Sequence, residues 1–134
     1  MEYQQPLHAS SESWQETHYI RIRKEGDILH CVFTNCSHVT LEIARYCVQQ
    51  RLATSAGTSW LCLIDMREMQ KVDKDARDYF AAEGSQGIKA GALLVGSQVT
   101  KMLANLFMLV NRPKTPTKMF TDEKAAREWL MKFR

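Results

Sequence analysis

Apolar and polar residues alternate over 19–24, with Ile20 and Ile22 on one face and Arg21 and Arg23 on the other. That is the pattern of a half-buried strand. Glu25-Gly26-Asp27 supplies a turn and the apolar run at 28–34 a second strand, so the two predict a hairpin. The period then becomes helical. Thr40 stands at an N-cap position with Glu42 in the first turn, and Leu41, Ala44, Val48 and Leu52, flanked by Cys47, form an apolar stripe that ends around 54–57. Residues 60–64 are apolar without alternation, as expected of a strand covered on both faces, and Asp65 closes them. Asp73 is placed to cap a second helix, with Ala76, Tyr79 and Phe80 inward, which Gly84 and Gly87 break.

The stretch 87–121 reads as a complete βαβ unit. It has a buried strand (89–95), a Gly96-Ser97 junction, an apolar helix (98–110), an Asn111-Arg112-Pro113 turn and a short strand (118–121). Thr121 then caps a last helix, with Asp122 and Glu123 at its positive end and Ala126, Trp129, Leu130 and Phe133 inward. The order ββαβαβαβα predicts an α/β domain: a mixed, mostly parallel five-stranded sheet with four helices and right-handed crossovers.

Composition narrows the class. With 45% apolar and 25% charged residues in 134, the chain suits one soluble globular domain, expected over 18–134 behind a mobile polar tail at 1–17. The N-terminus lacks the basic start and apolar core of a signal peptide, and no apolar run approaches the roughly 20 residues that span a bilayer. The expectation is a cytoplasmic protein that does not insert into membranes. Residues 1–17 hold Glu2, Glu12 and Glu16 and no Lys or Arg, which leaves the rest with 18 basic against 12 acidic residues. That is too mild a surplus for nucleic acid, and the basic loop at 112–118 has no aromatic neighbours on which bases would stack. The four cysteines read as buried thiols, with Cys36 alone in a turn. A metal site from His30, Cys31, Cys36 and His38 is not expected, because adjacent residues of a strand point to opposite faces.

The element order, the central strand Trp60-Leu61-Cys62-Leu63-Ile64-Asp65 and the run from Lys118 to Ala126 resemble the STAS-like superfamily. That group includes bacterial anti-sigma-factor antagonists and cytoplasmic domains of sulphate transporters, and it shares its fold loosely with lipid-binding Sec14-type domains. The pairing of Asn111-Arg112-Pro113 with Phe120-Thr121-Asp122 is similar to small uncharacterised Bacteroidetes proteins of this superfamily. The resemblance implies a binding or regulatory module. In the anti-sigma antagonists a serine after the central strand is phosphorylated as a switch. Here 65–76 contains no serine or threonine, so the resemblance implies no phosphoryl switch at that place.

Chemistry in parallel α/β sheets gathers at the carboxyl ends of strands. Those ends offer Asp65 with Arg67, Gly96-Ser97 and Thr121-Asp122. Ser97 is read first as an N-cap and second as part of an anion site. Arg112 and Lys114, stiffened by Pro113 and Pro116, form a basic loop suited to a phosphate or acidic peptide, or simply a solvated connection. None of His8, His18, His30 and His38 accompanies a nucleophile signature, and Gly84-Ser85-Gln86-Gly87 lacks the spacing and lysine of a phosphate loop. No enzyme activity, cofactor or metal is therefore expected.

Helix 98–110 is apolar over an arc of roughly 160°, more than a single sheet covers. Its surplus face, with Met102, Leu106, Leu109 and Met108, awaits the last helix, a partner subunit or an apolar ligand. A homodimer contact is the favoured reading. The functional expectation is a non-enzymatic protein-binding or regulatory module, with a carrier or sensor of a small apolar or anionic ligand as the alternative.

Overall fold

In a computed structural model that describes residues 13–134, the chain opens with β1 (Gln15–Glu16), β2 (Ile20–Glu25), β3 (Ile28–Phe33) and β4 (His38–Val39). Helix α1 (Leu41–Ser55), β5 (Trp60–Asp65), β6 (Lys71–Val72) and α2 (Lys74–Ala81) follow, and a 3-10 turn spans Glu83–Ser85. The last third contributes β7 (Ile88–Leu94), α3 (Gln98–Leu106), a π-helical turn (Phe107–Asn111), β8 (Thr117–Phe120) and α4 (Glu123–Leu130). The main sheet has the order β1-β2-β3-β5-β7-β8. Pairing is antiparallel across β1, β2 and β3 and parallel from β3 onward.

The predicted α/β architecture and its four helices are present, with β2, β3, β5, β7 and β8 as the five predicted strands. Two features go beyond it. Gln15 and Glu16 pair with Ile22 and Arg21, so the domain starts inside the stretch assigned to a tail; residues 1–12 of that stretch lie outside the described residues. Thr54 Oγ1 donates to Gln15 Oε1 at 2.8 Å. Strands β4 and β6 form a separate two-stranded sheet that ties the loop after β3 to the loop after β5. Both additions are two residues long, too short for any apolar period.

The sheet separates two cores. On one face Ile20, Ile22, Leu29, Cys31, Phe33, Cys62 and Leu93 pack beneath Ala44 and Cys47 of α1, Ala76 of α2 and Ala104 of α3. On the other, Ile28, Leu61, Leu63, Ala90, Ala92 and Leu94 pack against Ala126 and Leu130 of α4. His30 and Cys31 point to these opposite faces. All four cysteines are free and buried, including Cys36, whose thiol burial pushes up to about 11.

Several local expectations shift. The inner stripe of α1 is Ala44, Cys47, Val48, Arg51 and Ser55, turned toward Arg51 from the stripe through Leu41 and Leu52. Asp122 rather than Thr121 caps α4, accepting from Ala125 N at 2.9 Å. Asp73 occupies the N-cap position of α2 without a capping bond; its Oδ1 instead meets His38 Nε2 at 2.7 Å. Helix 98–110 ends as α-helix at Leu106 and widens into the π turn, where Arg112, at φ 51°, donates its N–H to Phe107 O at 3.1 Å. The extra residue in that turn aims Asn111 at α2: its Nδ2 donates to Asp78 Oδ1 at 2.6 Å and its Oδ1 accepts from Arg77 Nε at 3.3 Å. No helix of the described residues is long and apolar enough to cross a membrane.

Candidate functional site

Between the sheet and α1, α2 and α3 lies an apolar cavity of about 100 Å³. Ile64, Ile88, Gly91 and Leu93 form its floor, and Phe80, Leu103 and Phe107 lie among its walls. Gly91 is what keeps the floor low. Its φ is not positive, so the backbone does not demand glycine. A Cβ there would stand 3.6 Å from Ile64 Cδ1 and 3.8 Å from Ile88 Cγ2, which is ordinary contact. Glycine inside a strand weakens it, and a bare floor under an apolar roof forgoes packing that a methyl group would restore. The π turn beside the cavity is of a kind found often at functional sites. Two arginines line the cavity: Arg51, buried in α1, and Arg77, half-buried in α2.

A second, polar cleft opens on the opposite face at the carboxyl ends of β3 and β5, lined by Trp14, Arg21, His30, Val32, Asp65, Arg67 and Glu68. Parallel strands leave their ends free here, and the polar loop after β5 turns over the opening. Asp65 is buried and accepts from Arg67 three times: from its backbone N at 3.1 Å, Nε at 3.0 Å and Nη2 at 2.7 Å. The side-chain hydrogen bonds that Arg67 donates to Asp65 lead the raising of the Arg67 pKa above its ordinary value. Gly96 admits the Arg67 stem, since a Cβ there would lie 3.2 Å from Arg67 Cδ.

Deeper in the cleft His30 shares Glu25 with two arginines. Glu25 meets Arg23 Nε at 2.7 Å, His30 Nδ1 at 3.1 Å and Arg127 Nη2 at 2.6 Å. Burial alone would raise the Glu25 pKa, but the hydrogen bonds from His30, Arg127 and Arg23 overcome it and hold it at about 2. Trp14 closes the outer side, with the guanidinium carbons of Arg21 and Arg23 each 4.4 Å from its ring centroid and the His30 ring at 5.1 Å. Asp65 and Glu25 are thus already committed to arginine, and of the carboxylates that line the cleft Glu68 alone is outside the ion pairs of the described residues. None of its lining side chains is a serine, threonine or cysteine nucleophile.

The predicted site residues thus fall into separate places. Asp65 and Arg67 meet in the polar cleft. Ser97 caps α3 in a reciprocal box: its Oγ accepts from Thr100 N at 3.1 Å, while Thr100 Oγ1 accepts from Gly96 N and Ser97 N, each at 3.0 Å. Those two amides, the donors of the anion reading, are already used by a fully buried threonine of the same helix. Arg112 and Lys114 are exposed, follow the π turn and line neither the apolar cavity nor the polar cleft.

Among the four interface candidates, Met102 and Leu109 are 70% and 72% exposed and Leu106 is half-buried. Met108 is not on that face; it packs against the main core, and Val110, 64% exposed, takes its place. Among the described residues no group of three or more His, Cys, Asp or Glu is placed to hold a metal ion. Sequence reasoning missed Arg51 and Gly91. A cation at helical spacing from Cys47 and Val48, and a glycine midway through an apolar strand, were the available signals.

A family described as a domain of unknown function, DUF7793, matches residues 20–134. No curated protein matches the chain. Among solved structures, the fold is similar to that of an uncharacterised DUF3478-family protein with a SpoIIAA-like fold from Shewanella loihica PV-4. The match has a TM-score of 0.61 at 16% identity and covers 89% of this chain and 99% of that one. At that identity the likeness establishes the STAS-like fold and nothing of activity.

Proposed function

We propose that this chain, which belongs to the DUF7793 family, is a non-enzymatic regulatory module that works by holding a small apolar ligand between its sheet and α3. The observation that carries the reading is the floor at Gly91, where the fold forgoes packing that a methyl group would supply without a clash. Apolar cavities stay dry and take up apolar molecules: one of about 150 Å³ binds benzene. By that comparison the enclosed space holds about four carbons, so a six-carbon chain fits with its last carbons at the cavity's mouth. The absence of serine and threonine from 65–76 leaves ligand occupancy, rather than phosphorylation there, as the input.

Gly91→Ala is expected to stabilise the free domain by about 1 kcal/mol, through a stiffer unfolded chain and added packing. Gly91→Leu is expected to fill the space and abolish uptake of 1-hexanol. On the native chain, 1-hexanol at a hundred times its Kd should stabilise by about 2.7 kcal/mol, a rise in Tm of roughly 8 °C for a domain of this size. A native Tm indifferent to 1-hexanol, together with no gain from Gly91→Ala, would sink the reading.

A second reading rests on the outer face of α3 and its π turn, where Met102, Leu109 and Val110 stand exposed side by side with half-buried Leu106. Such a face fits a protein partner, with a second copy of this chain as the nearest case. Light scattering is expected to give a dimer mass, and Leu109→Glu a monomer with an unchanged cooperative melt. A monomer mass for the native chain at all concentrations would exclude self-association.

A further inference from the structure

Among the described residues, Arg51 is a buried cation without a counter-anion. It is 5% exposed, and its Nη1 and Nη2 donate to the carbonyl oxygens of Gln86 at 2.9 Å and Gly84 at 2.7 Å. No carboxylate of the described residues lies within 4.0 Å of it. Of the five N–H donors of a guanidinium, two are thereby used. Carbonyl dipoles return only part of what it costs to remove a full charge from water, and an unpaired buried charge is among the most expensive features a core can contain. A structural clamp on two carbonyls needs donors but no net charge. Arg51 also lines the apolar cavity together with Val48, Ser85 and Ile88.

We infer that the ligand of this cavity is a monocarboxylate amphiphile, whose head pairs with the free edge of the Arg51 guanidinium and whose apolar tail lies over Gly91 toward Leu103 and Phe107. The inference rests on the reading of the cavity as a ligand site and adds the chemical class of the ligand. Charge complementarity carries it: guanidinium and carboxylate match as planar forks, and pairing them in a dry site supplies the anion that the fold leaves out. Arg77, the other arginine that lines the cavity, makes no such demand. It is half-exposed, so water serves its charge, and its donors go to Val72 O at 3.2 Å and Asn111 Oδ1 at 3.3 Å.

The test compares hexanoate with 1-hexanol on the full-length chain at pH 7, by isothermal titration. In a purely apolar cavity the carboxylate binds far more weakly than the alcohol of equal length, because its desolvation goes unrepaid. The expected result is the reverse, hexanoate tighter by tenfold or more, with the preference inverted in Arg51→Met. Equal or weaker binding of hexanoate to the native chain overturns the anchor while leaving the apolar cavity in place. Binding of neither compound removes both readings. Inversion in Arg77→Met but not in Arg51→Met places the head at the other arginine and likewise overturns the inference. Where Arg51→Met does not fold, Arg51→Lys decides. A cation without the planar fork is expected to retain hexanoate preference but reduce it severalfold, and an undiminished preference would mean that the head is held elsewhere.

Discussion

Glu25→Ala is expected to destabilise the domain by about 3 kcal/mol, the lower end of the range for removing one member of a buried ion network. The carboxylate side chain is 9% exposed, while its partners Arg23 and Arg127 are about a third exposed, so water takes up part of the charge left behind. The loss would appear as a fall in Tm of roughly 10 °C. Glu25 joins the β2–β3 hairpin to α4 through Arg127, which is also held by Glu123 at 2.9 Å, so the effect reaches across the sheet. The pH dependence has a definite sign. The folded pKa of about 2 lies below the ordinary value of 4.5, so the unfolded chain binds the extra proton in that interval. The stabilisation is therefore complete above about pH 4.5 and disappears as pH falls toward 2. Urea midpoints of the native chain and Glu25→Gln should differ most at neutral pH and converge below pH 3. A gap that persists unchanged at pH 2 would show that the side chain acts through shape rather than charge.

Leu130→Ala is expected to cost about 3–4 kcal/mol, as do deletions of fully buried leucines whose surroundings cannot collapse into the space. Leu130 is fully buried among Ile28, Leu61, Leu63, Ala90, Ala92, Leu94 and Ala126, and these alanines offer little side chain to close a void. The loss should appear as a lower urea midpoint at unchanged m. Met102→Ala is the comparison. At 70% exposure it should change stability by less than about 0.5 kcal/mol. A small effect at Leu130 would mean that α4 is loosely attached and that the second face of the sheet does not depend on it.

These two side chains also mark how far the chain can be read without its fold. Leu130 belongs to a stripe with Ala126, Trp129 and Phe133 at helical spacing, and the last helix packs through it as the pattern predicts. The alternation at 19–24, the unbroken apolar run before Asp65 and the βαβ order likewise determine strands, crossovers and sheet class, because period and connection length are local properties of a chain. Asp65 and Arg67 were legible for a topological reason: they follow a parallel strand, and parallel strands present their carboxyl ends to solvent. Glu25 read only as a turn residue, since its value comes from Arg127, which is 102 residues away. The same limit applied to Met108, whose direction depended on whether the last turn of its helix was α or π.

Arg51 and Gly91 lie furthest from what a pattern can show. A single arginine on a helix reads as solvated, and a single glycine in a strand reads as a local weakness. Only when α1 turns Arg51 under Gly84 and Gln86, and the register of β7 sets Gly91 between Ile64 and Ile88, do the two line one cavity. The sequence by itself determined the five long strands, the four helices and their order. The tertiary structure decided which of their side chains share a space, because burial, charge pairing and empty volume depend on what arrives from distant parts of the chain.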